Sequence, residues 1–204
     1  MTVREVLVIA SQFLNIEDDV KEYIAQDDGV ENGSKTFKTL FNALNIVYKE
    51  IASDYFALMT EEEIMVQNNK IFYFDLKNEP KDIYSISSID NVSKYKFKTF
   101  DEYVKLSCNG LVKIVYSYMP KDVKITDLLQ TFGGKITTRT FALAVASEYC
   151  FISNIFDDAK VWHERFCESI KNNLSKKGNI TVAKRKWLWF MKRNFYKKNI
   201  TTNK

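Results

Sequence analysis

Few side chains in this sequence have the types and the spacing that catalysis or metal binding requires. The chain has one histidine, His163, whereas a zinc site or a catalytic triad needs a cluster of ligands or partners. We therefore interpret His163 as a packing or surface residue of a helix. The three cysteines, Cys108, Cys150 and Cys167, are widely spaced, which indicates buried free thiols in a reducing compartment and no disulfide framework. The sequence predicts no metal site and no cofactor.

A glycine pair before a lysine, in the stretch FGGK at 132–135, is the nearest approach to a phosphate-binding motif. It lacks the first glycine of a P-loop, and neither Ser nor Thr follows the lysine, so we expect a hinge ahead of a helix. Adjacent acidic residues point in different directions on a helix or a strand and are expected to be solvated. Because the sequence contains no recognisable nucleophile turn and no acid–base pair, we predict that the protein is not an enzyme.

The C-terminal segment combines cations with aromatic rings. The stretch KRKWLWFMKRNFYKKN, Lys184 to Asn199, has seven basic residues, five aromatic residues and no acidic residue. An extended segment of this kind suits docking in a groove, and Trp, Tyr and Arg commonly anchor protein interfaces. The candidate partner-binding residues are Arg185, Lys186, Trp187, Leu188, Trp189, Phe190, Met191, Lys192, Arg193, Phe195 and Tyr196.

Three interpretations of this segment remain open. In the first, it is an arm that inserts into another protein, with aromatic anchors and with cations on an acidic surface. In the second, it binds nucleic acid, with Lys and Arg on phosphates and the rings stacked on bases. In the third, it packs against the body of its own chain. A membrane surface is not expected, because a short apolar run anchors weakly and the cations do not form one face of a long helix.

The distribution of charge supports a role in binding. The whole chain carries +4, but residues 169–204 contain eleven Lys and Arg and no acidic residue. The first 168 residues therefore carry −7. An acidic body with a basic tail indicates a partner of complementary charge.

We expect one α+β domain over residues 1–180, followed by an extended basic aromatic arm over 181–204. The predicted parts of the domain are N-terminal helices over 3–54, a small antiparallel β unit over 57–120 and a C-terminal helix pair over 136–174. Segregated runs of helix and strand are typical of α+β proteins. The stretch QDDGVENGSK, with two glycines, is expected to be an exposed loop.

Local signals support the predicted helices. Thr2 and Glu5 form a capping box ahead of an apolar run, and Ser34 caps a long helix that is expected to end near Asp54. One face of that helix is apolar, at three- and four-residue spacing. Its residues are Phe37, Leu40, Phe41, Leu44, Val47, Tyr48 and Ile51. The last helix is expected to stop at Gly178.

Alternating side chains and short turns indicate the β unit. Asn68–Asn69 is expected to form a tight hairpin between two strands, and Asp90–Asn91 and Asn109–Gly110 mark further turns. We expect a single antiparallel sheet of about five or six strands. The last strand is expected to end before Pro120.

The middle and the last third of the chain resemble a known family. The stretches are KIFYFDLKNEPKDIYSISSIDN, YKFKTFDEYVKLSCNGLVKIVYSYMPKD and RTFALAVASEYCFISNIFDDAKVWHERFCESI. They are similar to the head–tail adaptor (connector, neck) proteins of tailed bacteriophages and prophages, closest to a clostridial prophage type and more loosely like tail tubular protein A. The basic, Trp-containing end of the chain, with Arg185, Lys186 and Trp187, matches the family in kind.

The resemblance implies a structural virion protein located in the neck and assembled in the cytoplasm of the bacterial host. Such adaptors form a ring of about twelve copies beneath the portal protein. The ring receives the next neck or tail component, a stopper or a tail terminator, and DNA passes through its centre without sequence-specific contact. The alternative that the residues leave open is a DNA-binding or packaging accessory module that uses the basic C-terminal tail.

Overall fold

The computed structural model describes residues 1–27 and 29–175, without the side chains of Leu174 and Ser175. The described chain has the α+β class that the sequence predicts. The proposed arm, its eleven candidate binding residues and the predicted helix stop at Gly178 lie outside the described residues.

Six α-helices occur in the described residues, four before the strands and two after them. The helices are α1 (Val3–Leu14), α2 (Glu17–Ala25), α3 (Gly29–Asn32), α4 (Lys35–Glu50), α5 (Thr138–Ile152) and α6 (Phe156–Ser175). The predicted capping box is confirmed, because the Glu5 amide donates to Thr2 Oγ1 at 3.1 Å and the Thr2 amide donates to Glu5 Oε2 at 2.8 Å. The predicted cap at Ser34 is also confirmed, since its hydroxyl accepts the Phe37 amide at 3.2 Å.

Two segments of the helical part differ from the prediction. The long helix is α-helical only to Glu50 and continues as one π-helical turn, Ile51–Tyr55. The segment expected to be a loop contains the short helix α3. The start of α3 packs tightly against the end of α2, because a Cβ added to Gly29 would lie 1.9 Å from the Tyr23 carbonyl oxygen.

The core of the helical part forms around α5, which packs against α1, α4 and α6. The predicted apolar stripe of α4 is confirmed, since all seven of its residues are buried. Ala142 and Ala146 of α5 are fully buried and let the neighbouring helices approach closely. On α6, Phe166 and Ile170 enter the same core, and Trp162 stacks on Phe13 at 5.2 Å between ring centroids.

In the part of the chain that the structure describes, six strands form two antiparallel sheets, so the prediction of a single sheet is wrong. The strands are β1 (Leu58–Val66), β2 (Lys70–Phe72), β3 (Pro80–Ser87), β4 (Phe97–Thr99), β5 (Tyr103–Leu106) and β6 (Gly110–Tyr118). One sheet has the order β1–β6–β3 and the other has the order β2–β5–β4. A 3₁₀ turn, Tyr73–Asp75, follows β2.

The tight turn predicted at Asn68–Asn69 is present and is closed by one antiparallel bridge between Gln67 and Lys70, but the hairpin does not extend into two paired strands. Both asparagines have positive φ, 52° and 59°, and the Lys70 amide donates to the Gln67 carbonyl at 3.0 Å. The flanking strands then separate, because β1 pairs with β6 whereas β2 pairs with β5. The turn residues determine only the local reversal of the chain; burial of Ile71 beside Val104 determines the partner of β2.

A buried polar pair joins the strands of the first sheet. The Tyr116 hydroxyl on β6 donates to the Glu62 carboxylate on β1, and both side chains are buried. The backbone amides of Lys77 and Asn78 donate to Glu62 Oε2 at 3.2 Å and to the Tyr116 hydroxyl oxygen at 3.3 Å. Burial, together with the hydrogen bond to Glu62, raises the pKa of Tyr116 to about 12.

Polar contacts connect the helical part to the segments around the first sheet. Asn45 Oδ1 on α4 accepts the Val123 amide at 2.8 Å, and Lys49 pairs with Asp122 at 2.7 Å. Tyr118 packs against both the helical core and the core of the sheets. None of the helices described here combines the length and the apolarity needed to cross a bilayer.

Candidate interaction surfaces

The residues that could do chemistry are dispersed or buried in the structure. His163 is buried on α6, as its interpretation as a packing residue predicts, and its Nε2 lies 3.4 Å from the Cys167 sulfur. Residues 1–27 and 29–175 contain no group of three or more His, Cys, Asp or Glu that could hold a metal ion. The acidic pairs on α2 and α6 are solvent-exposed.

All three cysteines are free thiols, but only Cys150 is buried. Burial raises the pKa of Cys150 to about 11, with a smaller contribution from the charge of Asp158. Cys108 and Cys167 are half-buried, so the prediction of buried thiols holds for one of the three.

The glycine pair of FGGK lies in a turn of left-handed backbone. Phe132, Gly133 and Gly134 have φ values of 50°, 67° and 73° in succession, and Phe132 is buried in the helical core. Helix α5 begins four residues further on, at Thr138, with Thr137 as its cap. The glycines therefore permit a sharp reversal of the chain and are not a loop that leads directly into a helix N-terminus, as a phosphate site requires.

One candidate binding surface lies where α5 turns into α6. It consists of Phe151, Ile155, Phe156, Asp157 and Asp158, and we call it the acidic–apolar corner. Its three apolar side chains are 40–45% exposed, and the Phe151 and Phe156 rings meet edge to face at 5.7 Å. The two aspartates are solvent-exposed in the first turn of α6.

More acidic charge lies elsewhere on the helical part, on the first turn of α2. The exposed residues Glu17, Asp18 and Asp19 form that turn. Burial raises the pKa of Tyr149 near the end of α5, and the charge of Asp19 on α2 adds a small part of this effect. The corner thus offers apolar surface beside anionic surface, which complements an arm of aromatic and basic residues.

A second candidate surface is the outer face of the β2–β5–β4 sheet, which we call the lysine–aromatic face. Its residues are Lys70, Phe72, Phe74, Lys98, Phe100, Tyr103 and Lys105. Side chains alternate along a strand, so the opposite face of this sheet directs Ile71, Val104 and Leu106 into the β core. One face of the sheet is therefore anchored, and the other is left to solvent.

The lysines and the rings of this face form two parallel rows. Lys70 lies directly opposite Lys105, which lies directly opposite Lys98. Two residues along the strands, Phe72 lies opposite Tyr103, with ring centroids 5.8 Å apart.

Further ring contacts extend and order the aromatic row. Phe74 stacks on Phe72 at 5.2 Å, and Phe100 stacks on Tyr103 at 4.8 Å. The Lys70 ammonium lies 4.2 Å from the centroid of the Tyr103 ring, which holds this lysine between the two rows.

The lysine–aromatic face is not among the surfaces that the sequence predicts. Its residues come from three strands. The pairing of β4 with β5 is local, but β2 pairs with β5 across about thirty residues of sequence. The sequence does contain a signal for it, because every second residue of the stretches KIFYF and KFKTF is a lysine or a phenylalanine. These residues are Lys70, Phe72 and Phe74 in the first stretch and Lys96, Lys98 and Phe100 in the second. This alternation predicts a shared face for each strand, but not which strands lie side by side.

Comparison with known proteins assigns no family to the chain. No protein-family model matches the sequence, and no curated protein matches it significantly.

Proposed function

We propose that this chain is a structural coupling protein of a tailed phage or prophage. In this role it is a head–tail adaptor that forms a ring beneath the portal protein and joins the capsid to the next neck or tail component. DNA passes through the centre of the ring. The proposal rests on the sequence resemblance and on one observation from the structure, the acidic–apolar corner on a chain that ends in a basic aromatic segment.

The physical support is complementarity within one chain. A closed ring of identical copies needs heterologous contacts, in which two different surfaces of each copy meet. The corner supplies exposed rings and carboxylates, and the segment from Lys184 to Asn199 supplies rings and cations without any acidic residue. In the proposed assembly, the aromatic residues of this arm lie on another polypeptide, the portal protein or a neighbouring copy.

The energetics make the docking of such an arm conditional on its partner. Ordering the backbone costs about 1–2 kcal/mol per residue. Burial of a large apolar side chain such as Trp187, Trp189 or Phe190 returns about 1.5–3 kcal/mol. Since these terms are comparable, the arm binds only where the partner also satisfies its charges and its backbone. Attachment would then follow assembly of the partner.

The test is attachment of the purified protein to the portal protein, observed by native mass spectrometry and electron microscopy. We expect the full chain to form a ring on the portal, and we expect a chain lacking residues 184–204 to keep its circular dichroism spectrum and to lose attachment. A matched pair of full-length variants separates the rings from the charge. The change of Trp187, Trp189 and Phe190 to Ser abolishes attachment, whereas the change of Lys197 and Lys198 to Gln, which leaves five of the seven cations of this segment, weakens it much less.

Normal attachment of the truncated chain would refute this role of the arm. A salt titration distinguishes the adaptor from the DNA-binding alternative. Binding to phosphates weakens steeply and linearly on a log–log plot, whereas an interface that buries aromatic residues responds less to salt.

A further inference from the structure

We propose that the lysine–aromatic face binds single-stranded nucleic acid, with its lysines on phosphates and the rings of Phe74 and Phe100 stacked on bases. This inference goes beyond the adaptor role and does not depend on the C-terminal arm. It is carried by described residues of β2, β4 and β5 and by the turns that follow them.

The lysine row is an unfavourable arrangement in the protein by itself. Like charges that lie directly opposite each other on neighbouring strands are destabilising. Lys70, Lys105 and Lys98 occupy such positions on all three strands, and no acidic side chain among the described residues pairs with them. Neighbouring strands lie about 4.8 Å apart, so the backbone positions of the three lysines span about 10 Å. A partner with a row of negative charges would relieve this repulsion.

The aromatic row is placed where the bases of such a partner would lie. It is two residues further along each strand, and a strand rises about 3.3 Å per residue, so the two rows are separated by about 7 Å. Phe74 is 79% exposed and ends the row on one side. Phe100 ends it on the other side and is 43% exposed. These two rings have one face covered by Phe72 and Tyr103, respectively, which leaves the outward faces for a base.

The two-row layout favours a single strand over other polyanions. A single nucleic-acid strand carries phosphates along one edge and flat bases along the other, with the sugar between them. A duplex keeps the faces of its bases stacked inside, whereas the bases of a single strand can stack on Phe74 and Phe100. Sheets that present aromatic residues to bases are an established way to bind single strands.

The surrounding charge sets the orientation of the bound strand. Asp75, Asp101 and Glu102 are exposed beyond the aromatic row, at the end of the sheet away from the lysines. Phosphates are therefore repelled from the aromatic end and attracted to the lysine end. The exposed residues Lys94 and Lys96 extend the cationic end along the chain before β4.

The first experiment measures binding of a fluorescein-labelled oligothymidine of about 16 nucleotides, the upper end of the site sizes for such sheets. Fluorescence anisotropy of the full-length protein is recorded over a range of salt concentrations. The slope of log K against log salt is about −0.7 per phosphate contact for a single strand, so Lys98→Gln with Lys105→Gln should reduce its magnitude by about 1.4. The control, Lys38→Gln with Lys160→Gln, removes two exposed helical lysines and should leave the slope unchanged.

The second experiment tests the rings in the same assay. Stacking of a base on an aromatic ring contributes about 1–3 kcal/mol, which corresponds to about a 5- to 150-fold change in affinity. Phe74→Ala and Phe100→Ala should each weaken binding within that range without changing the salt slope. Tyr84→Ala, which removes an exposed ring of β3 outside both candidate surfaces, should have no effect.

Three results would overturn the inference. One is an equal effect of the two lysine pairs on the salt slope. Another is equal binding of an abasic oligonucleotide with the same number of phosphates, which would leave the rings without a role. The third is competition by a polyglutamate peptide at the same charge concentration, which would favour an acidic protein as the partner. Because the Phe74 side chain is mostly exposed, Phe74→Ala is expected to fold normally. It therefore still tests the role of the rings if Phe100→Ala disturbs folding.

Discussion

The helical part and the sheet part of this molecule differ in how their surfaces are used. In the described residues, the helical core contains 28 buried apolar residues around α5, whereas the core of the sheets contains nine. The sheet core also contains a buried polar pair, Tyr116 and Glu62, which joins β6 to β1. Most of the stabilisation from burial of apolar side chains therefore comes from the helical part, and the sheets leave much of their surface to solvent.

This difference indicates where binding is expected. The small β2–β5–β4 sheet buries one face and leaves the other to carry lysines and rings. An antiparallel sheet tolerates this arrangement, because one of its faces can pack on the core while the other carries polar residues in solvent. The helical part, by contrast, exposes Phe151, Ile155 and Phe156 beside two aspartates where α5 turns into α6. The predictions below test this contrast, from the largest expected effect to the smallest.

Truncation in the helical core should have the largest effect. Phe141 on α5 is fully buried against Tyr48, and Phe→Ala changes at such sites cost about 3–5 kcal/mol. We expect Phe141→Ala to lower the free energy of unfolding by that amount, measured by urea denaturation. Phe151→Ala, on the exposed side of the same helix, should cost far less. Equal losses would show that α5 is not the centre of the core.

The buried polar pair should dominate the stability of the sheet part. Tyr116→Phe removes the hydroxyl that donates to Glu62 and leaves the buried carboxylate with fewer donors. We expect a loss of about 1–3 kcal/mol in the same urea assay. The control is Tyr84→Phe, at an exposed tyrosine of β3, which should be neutral within error. A neutral Tyr116→Phe would contradict the role given to the pair.

The pair should also make stability depend on alkaline pH. The folded-state pKa of Tyr116 is raised to about 12, above the ordinary value of 10.0. The folded state therefore holds this proton more tightly, and the stabilisation is complete below pH 10 and is lost as the pH rises towards 12. Urea midpoints measured over this range should fall more steeply for the wild type than for Tyr116→Phe. Parallel curves would contradict the assignment.

The lysine row should give the smallest effect, with the opposite sign. Lys98→Gln with Lys105→Gln relieves cross-strand repulsion and should stabilise the free protein by about 1 kcal/mol or less. The gain should shrink at high salt, because these side chains are exposed and their charges are screened. The melting temperature at low and at high salt measures this change, with Lys38→Gln and Lys160→Gln as the control. Destabilisation at low salt would contradict the predicted repulsion.

The sequence predicts those parts of the fold that depend on local signals. The capping box at Thr2 and Glu5, the cap at Ser34 and the apolar stripe of α4 involve residues within a few turns of helix, and the structure confirms all three. The class of the fold and the turn at Asn68–Asn69 were predictable for the same reason.

The features that the sequence did not predict depend on pairing between distant segments. The division into two sheets follows from the pairing of β1 with β6, and the Tyr116–Glu62 bond joins residues 54 positions apart. The lysine–aromatic face needs the register of three strands before its two rows appear. The binding role given to the C-terminal residues from Arg185 to Tyr196 stays a prediction, since they lie outside the described residues.

The most direct test of the coupling role replaces Trp189 with a photoreactive benzoylphenylalanine in the full-length protein. The protein is mixed with the portal protein and irradiated, and the cross-linked peptides are identified by mass spectrometry. Isotopically labelled and unlabelled copies are combined so that cross-links between copies can be distinguished from those within one chain. We predict cross-links from position 189 to the portal protein or to another copy of this chain. Cross-links confined to the same copy would contradict the account.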